Sequence, residues 1–540
     1  MATTRTTAHR KCGLGWQQLR GLVLSGPTRR VGPSKLSGAA VMLSGLSLLS
    51  SPTVDADAFR VVPTVTVQET LTNNVDLAPS PNTRSDLITE ITPNLSIKET
   101  GGRTRLSGSV SLPTVLYART GSQNDRVYGQ ANLTGNVEAV DKFFFIDGAA
   151  TVSQQYFSPF GAQPVGLGNA TQNRYTAQSY SVSPYIQGGT PSTVQYSLRD
   201  DNIWTRLSNT PADVPGAYTN QLSATASQQF ARLGWETQYT RGEVRFHSQV
   251  PQLTQTGRLR ILDTVDPTLR LWASGGYEDD NYGISKFSSM IYGVGGTWRP
   301  TPRTNLNATW EHRFFGSSYS FDFSHRMPTS VWSLSATRDI TSYPQSLATL
   351  PPGFDVRVYL NLLFLSSIPD PIERAAFIEQ FIRGQGLPGF LLSPVNIFTE
   401  QAVLQQRITA SLGLLGARNT IFFSAFYART QPISEPAVPL SGLIMALEDS
   451  AQEGVSIVWT HRLPSNVTFA LNGAASRSLP KGQDTTVGPA NQRSLTASLS
   501  YPLSPKTTVT GGARYQAFRP TAMPGYTEAA AFVGFTYTFH

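Results

Sequence analysis

Period-two alternation runs through most of this chain. In "RTNLNATWEHRFF" one face carries Thr304, Leu306, Ala308, Trp310, His312 and Phe314. The other carries Arg303, Asn305, Asn307, Thr309, Glu311 and Arg313. "SYSFDFSHR" follows with Tyr319, Phe321 and Phe323 opposed to Ser320, Asp322 and Ser324, and "TSVWSLSATRD" sets Trp332, Leu334 and Ala336 against Ser333, Ser335 and Thr337. "KTTVTGGARYQA" places Val509, Ala513 and Tyr515 opposite Thr508, Thr510, Arg514 and Gln516. Such alternation predicts strands with one apolar face. After Ala58 no apolar run approaches the ~20 residues of a helical membrane span.

A soluble sandwich and a membrane barrel both alternate. A sandwich core favours Leu, Ile and Val. Here the apolar faces hold Trp, Tyr and Phe near the strand ends and small residues between them, which fits aromatic girdles at two interfaces. The polar faces mix Arg, Glu, Asn and Asp, which suits a wet lumen. The expected fold is therefore all-β: a transmembrane antiparallel barrel of roughly 18–22 strands over residues 59–540. The last run, "AFVGFTYTFH", puts Val533, Phe535, Tyr537 and Phe539 on a lipid face and Thr536 and Thr538 on a lumen face. An aromatic end of this kind resembles the signal read by barrel-assembly machinery, with His540 one residue beyond the usual stop.

Turn chemistry supports the reading. "GTWRPTPRTNL", "VWTHRLPSNVTF", "LSYPLSPKTTV" and, more loosely, "DTVDPTLRLWASGG" each pass from an aromatic through Pro into a new alternating run. Pro has no N–H and presets φ, so it belongs in turns. These are expected to be periplasmic turns. "GGYEDDNYGIS" and "SPFGAQPVGLGNATQNR" are expected to be outer loops. "VVPTVTVQETLTNN" and "ITPNLSIKETGGRT" form a weak repeat, as adjacent strands of one barrel would.

Residues 341–400 break the alternation. Asp370 can cap a helix, Pro371 fits its first position and Glu373 completes a capping-box-like spacing. Ala375, Phe377, Ile378, Phe381 and Ile382 form a stripe at helical spacing, closed by Gly384. "YLNLLFL" before it reads as a second short helix or a strand. The insert is an outer loop, a periplasmic cap or a constriction in the lumen.

Composition narrows the class further. Charged residues are 14% of the chain and mean hydropathy is −0.19, with 45 Gly, 27 Phe and 20 Tyr. That low charge with many aromatics excludes a helical membrane protein and fits strands that show one face to lipid and one to water. Residues 1–58 differ. A basic stretch precedes the small-residue apolar run "LSGAAVMLSGLSLLSS", followed by Ala56 and Ala58 in A-x-A spacing. This predicts a secretory signal cleaved after Ala58, with a lead longer than ordinary. The run is short for a membrane anchor. Arg29-Arg30 resembles a twin-arginine signal only weakly, and that route carries folded cargo. The net charge of +8 is largely this leader: removing its seven basic and two acidic residues from 43 and 35 leaves 36 and 33. Basicity is thus no argument for nucleic acid. The one cysteine, Cys12, lies in the leader, so disulfides, Cys-rich zinc sites and thiol catalysis are excluded after cleavage.

The segment "EDDNY…WRPTPRTNLNATWEHRFFGSSYSFDFSHRMPTSVWSLSATRDITS" resembles the PEP-CTERM system-associated outer-membrane proteins, found beside exosortase and exopolysaccharide gene clusters. "ETLTNNVDLAPSPNTRSDLITEITPNLSI", "SQQYFSPFG", "SIPDPIERAAF" and "VLQQRITASLGLLGARNTIFFSAFYART" fit the same pattern, so the resemblance covers most of residues 60–540. It implies a Gram-negative outer-membrane barrel and brings no catalytic residues.

Chemistry-bearing motifs are few. His247, His312, His325, His461 and His540 show no H-E-x-x-H context, and neither G-x-S-x-G nor a P-loop occurs. His312 with Glu311 and Asp322 would be an enzyme's rim set, but the alternation puts His312 on the apolar face and the acids on the polar one. "YEDDNY" (Tyr277 to Tyr282) is either an oxygen-ligand cation loop or a solvated loop. The expected pore-lining residues are Arg303, Asn305, Asn307, Glu311, Arg313, Asp322, Arg514 and Gln516, setting a transverse field or compensating one another. No enzyme activity, metal or cofactor is expected. The expected partners are outer-membrane lipid and lipopolysaccharide, assembly machinery in passing, and polysaccharide or periplasmic export components. The expected role is a porin-like passive channel for an extracellular polysaccharide, with a non-conducting docking barrel as the alternative.

Overall fold

The computed structural model describes residues 59–190, 192–210, 216–246, 250–283, 285–348, 356–365, 368–369, 374, 377–378, 381–382, 391–433, 449–482 and 487–539. The leader with Ala56 and Ala58, together with His247 and His540, lies outside them. Antiparallel pairing proceeds strand to neighbouring strand from Phe59–Thr72 to Tyr526–Thr538. These two then pair with each other, from Thr64 opposite Thr538 to Thr72 opposite Ala530. Closure removes both sheet edges, the one way a β-structure can satisfy every backbone group in lipid. Two wall strands are interrupted. Thr104–Ser111 resumes as Thr114–Tyr117, both along Asp86–Thr100, and Arg126–Val127 precedes Gln130–Val140. Counting each once, the barrel has 22 strands.

The Pro-rich connections 267–268, 302–303, 463–467 and 505–506 all fall at the end of the barrel that also holds Phe59 and Phe539. The long connections 73–85, 157–173 and 342–402 fall at the other end. Short turns mark the periplasmic end of such barrels and long loops the outer end. The first repeat is a paired hairpin, Phe59–Thr72 along Asp86–Thr100.

Alternation is expressed as two chemically distinct surfaces. Register places Leu306 opposite Phe323, Ala308 opposite Phe321 and Trp310 opposite Tyr319 on one side. Asn305 faces Ser324, Asn307 faces Asp322 and Glu311 faces Ser318 on the other. Arg258 and Glu311, three strands apart, meet at 3.2 Å, which identifies the polar side as concave. Trp298, Trp310, Trp332, Val533, Phe535 and Phe539 remain exposed on the convex side. No described helix is long and apolar enough to cross a membrane; the crossing elements are strands.

Two expected loops prove different. "GGYEDDNYGIS" is a hairpin of Leu269–Tyr282 and Ser285–Thr301 joined at 283–284. Its acids alternate like any strand residue: Glu278 and Asp280 point into the barrel, while Asp279 takes a hydrogen bond from Ser288 at 2.7 Å. It is neither a cation loop nor a solvated one. Local composition suggested a loop, and an inward arginine on the next hairpin, described below, makes a strand affordable. The "SPFGAQPVGLGNATQNR" segment is a long connection at the outer end, but it folds into the lumen, because its polar backbone finds partners on the wall.

Candidate functional site

Two long connections fold into the lumen and pack on its wall. The 342–402 insert starts at the outer end, where Tyr343–Ala348 is helical, and "YLNLLFL" proves to be part of a helix, Val356–Phe364. Arg374, Phe377, Ile378, Phe381 and Ile382 are helical too. Asp370, Pro371, Glu373, Ala375 and Gly384 lie outside the described residues. The apolar face of these helices packs on the inner wall: Val356, Leu360, Ile378 and Ile382 cluster with Val331, Phe422 and Val458. Those wall residues stand near the periplasmic end of their strands. Arg326, the last residue of its strand there, donates to the Leu362 carbonyl at 3.3 Å. The insert therefore runs down the barrel, and neither an outer loop nor a cap describes it.

A second apolar cluster holds both connections on the wall in the outer half. Phe157 and Phe160 of one long connection meet Tyr343, Leu347, Ile397 and Phe398 of the insert and Tyr175, Phe518 and Tyr526 of the wall. Tyr343 and Tyr175 share a hydrogen bond between hydroxyls, and burial raises the Tyr343 phenol well above its ordinary range. After the helices the chain passes along the wall again: Gln452 brackets Val395 through both amide atoms, at 2.8 and 2.9 Å, and Gln252 donates to the Glu400 carbonyl at 2.8 Å. Gly454 makes room for it. A Cβ there would meet the Phe426 ring at 2.6 Å and Leu392 at 3.1 Å.

The expected pore-lining residues divide into three groups. Asn305, Asn307 and Asp322 face the lumen near the periplasmic half, where Arg299 donates to Asn305 at 2.9 Å and Thr297 to Asn307 at 2.9 Å. Glu311 and Arg313 also face inward but are only 7% and 8% exposed. Arg313 binds Glu278 and Asp339 at 2.7 and 2.6 Å and lies 3.8 Å from Asp280. Arg514 and Gln516 clamp the 157–173 connection onto the wall. Arg514 pairs with Glu528 at 2.8 Å and donates to the Val165 carbonyl at 2.9 Å, and both side chains donate to Asn169 Oδ1 at 3.0–3.1 Å. Arg303 is a correction: it occupies the two-residue turn 302–303, outside the wall, because Pro302 ends the preceding strand there.

His312 and His325 stand at opposite ends of their hairpin, opposite Ser317 and Thr304 respectively. His312 stacks on Tyr292 on the convex face, with centroids 5.1 Å apart, away from Glu311 and Asp322. Phe314, expected on the convex face, instead stacks on Phe287 at 4.5 Å beside Tyr282, because the 314–315 turn lets its ring fold over the rim. Glu278, Asp280, Asp339 and Glu528 complete these clusters but are not among the expected pore-lining residues. Asp339 continues the polar face of Ser333, Ser335 and Thr337, and Glu278 and Asp280 sit in the stretch read as a loop.

A closed ladder with an apolar convex belt and a charged concave wall defines a transmembrane β-barrel of the outer-membrane type. No family model matches the chain, and no curated protein does. Among solved structures it is similar to the FrpB iron transporter of Neisseria meningitidis (8% identity, 88% of this chain and 81% of that one, TM-score 0.46). It is also similar to the siderophore receptor PirA of Pseudomonas aeruginosa (9%, 89% and 80%, 0.42) and to OccAB3 of Acinetobacter baumannii (10%, 89% and 99%, 0.34). The barrel assignment rests on this chain's own strand pairing.

Proposed function

We propose that this protein is an outer-membrane channel held closed by its own insert. The observation that carries the reading is the reach of 342–402 from the outer end to Arg326 and Val331 at the periplasmic end. A wall of 22 strands encloses a lumen wide enough to need such a filling. The insert is seated on several parts of the wall by apolar contact and a few hydrogen bonds to side chains, none of them part of the strand ladder, so it can leave without breaking a strand. Its displacement would open a path lined by Asn305, Asn307, Asp322 and wall hydroxyls.

The cargo we assign is an extracellular polysaccharide. Support comes from the resemblance to the PEP-CTERM-associated family and from the hydroxyl- and amide-bearing concave face. Export behind a leader cleaved after Ala58, assembly through the C-terminal aromatic strand and contact with periplasmic export components belong to the same proposal, which involves no catalytic step. A non-conducting docking barrel is the second reading. It is favoured by the full burial of Val356 and Leu360, which suits a permanent plug.

Single-channel recording in planar bilayers separates the two. The native barrel should conduct rarely. One with residues 343–400 replaced by a Gly-Ser linker, which removes Tyr343, Leu347, Ile397 and Phe398 together with the helices, should show large, steady openings. Silence from both proteins, each confirmed as folded, would end the channel reading in favour of docking.

A further inference from the structure

A cavity of about 460 Å³ lies in the outer half of the lumen. Its sides are the 163–166 stretch of one long connection, the 391–395 stretch of the insert and the wall around Ala474 and Ser494. The size falls within the range of small-molecule pockets. Its described lining residues lack the arginine–carboxylate pairs found elsewhere on the concave surface. Gln155, Gln163, Gln492, Ser393, Ser476 and Ser494 supply amides and hydroxyls, and Leu391, Pro394 and Ala474 supply apolar patches. Among the described residues no Asp, Glu, Lys, Arg or His lines it. The nearby charges of Arg514 and Glu528 are turned toward each other and Asn169.

Gln492 adds a second observation. Its Nε2 donates to the Gln163 carbonyl, which fixes the amide, while its Oε1 is buried with no hydrogen-bond partner. A buried amide oxygen left unpaired costs free energy, and this side chain is held in place by its bond to Gln163 at the cavity's edge.

We infer that this cavity binds an uncharged, hydroxyl-rich ligand of one or two sugar rings. A charged ligand would lose its hydration with no counter-charge to offset the loss. A purely apolar one would leave the glutamines and serines unpaired. A sugar offers hydroxyls that both donate and accept, as Gln and Ser do, and C–H faces for Leu391 and Pro394. The inference concerns binding and holds whether or not the barrel conducts.

Saturation-transfer NMR on the full barrel in detergent tests it, with cellobiose and maltose as neutral probes and glucuronate and glucosamine as charged ones. At least one neutral disaccharide should show saturable transfer, and both charged sugars should bind at least about fivefold more weakly. Ser494→Phe, which fills the cavity from its wall side, should abolish the signal. Gln492→Leu, which releases the Gln163 backbone at the cavity's edge, should weaken it about fivefold. Heat-modifiable gel migration confirms that each variant is folded. No transfer from either neutral disaccharide, equal transfer from the charged sugars, or binding that survives Ser494→Phe would each overturn the proposal. Channel recordings on the same variants keep this outcome separate from the question of conduction.

Discussion

Arg326 Nη1 donates to the backbone carbonyl of Leu362 at 3.3 Å, although Leu362 belongs to a connection that leaves the wall at the opposite end of the barrel. This contact, with the Tyr359 ring 6.4 Å from that of Phe422, pins the insert to the periplasmic half of one wall sector. If the insert is the gate, tethering it there should keep the channel shut. Cys12 is the only natural cysteine, so Tyr359→Cys with Phe422→Cys gives a clean pair for a bismaleimide bridge. The bridged protein should show no openings. The unbridged double variant should open more often than the native barrel, because one aromatic contact is gone. Equal conductance with and without the bridge would show that this seat is not the gate.

Gly454 tests how closely the insert is fitted. It sits on the inner wall between the Phe426 ring and Leu392 of the insert. Gly454→Val places atoms where both already are, and overpacking of this kind costs about 1–3 kcal/mol. The wall strand is held by two full ladders, so the strain should fall on 391–395. Limited proteolysis should then cut the insert faster while the barrel keeps its heat-modifiable migration. Unchanged protection would mean that Leu392 shifts without loosening its segment.

Arg313 is the structural counterweight of three acids. Glu278 has no exposed surface and Asp280 has 1%, so neither can be rehydrated if the guanidinium is removed. Breaking a buried pair by deleting one partner typically costs 3–5 kcal/mol. Arg313→Met should lower stability by about that amount in urea titrations of the barrel in lipid vesicles. Arg313→Met with Glu278→Gln should recover part of the loss, since the second change removes the stranded charge. The exposed Arg232–Asp263 pair at 2.7 Å is the control, and Arg232→Met should leave the midpoint where it is. Equal effects at both sites would show that the Arg313 cluster is no more than a surface network.

How far the chain could be read follows from what each signal measures. Alternation reports which face a residue occupies, and it placed Trp310, His312, Tyr319 and Tyr515 on the convex side and Glu311, Arg514 and Gln516 on the concave one, as the register does. It cannot report what lies across the lumen. Arg514 and Gln516 therefore read as channel lining, when their partners are Val165 and Asn169, some 350 positions earlier. The "EDDN" run misled because loop propensity is local while burial of Glu278 depends on Arg313, which a single strand does not contain. Helical spacing in the insert was legible. Its place inside the barrel was not, since an apolar stripe states that a face is buried and not against which wall.

The C-terminal strand gives the sharpest test of the two faces. Val533 is 55% exposed on the convex side, and Thr536 points inward, 3.0 Å from Thr66 across the closing seam. Both are seam residues, but Val533 lies opposite Glu69 and Thr536 opposite Thr66, so both substitutions are compared in a Glu69→Gln background, which removes the carboxylate and leaves the medium as the main difference. Arginine on the lipid face near mid-membrane costs about 2–4 kcal/mol, whereas the lumen tolerates it. Val533→Arg should reduce folding into vesicles by that amount, and Thr536→Arg should change it far less. Deleting Tyr537 to His540 should go further and abolish insertion, because it removes the Thr538–Thr64 and Tyr537–Val65 pairs that begin the closure. If Val533→Arg and Thr536→Arg are equally costly, the convex belt is not in lipid and the membrane assignment fails. If the truncated chain still folds into vesicles, the aromatic stripe is packing alone.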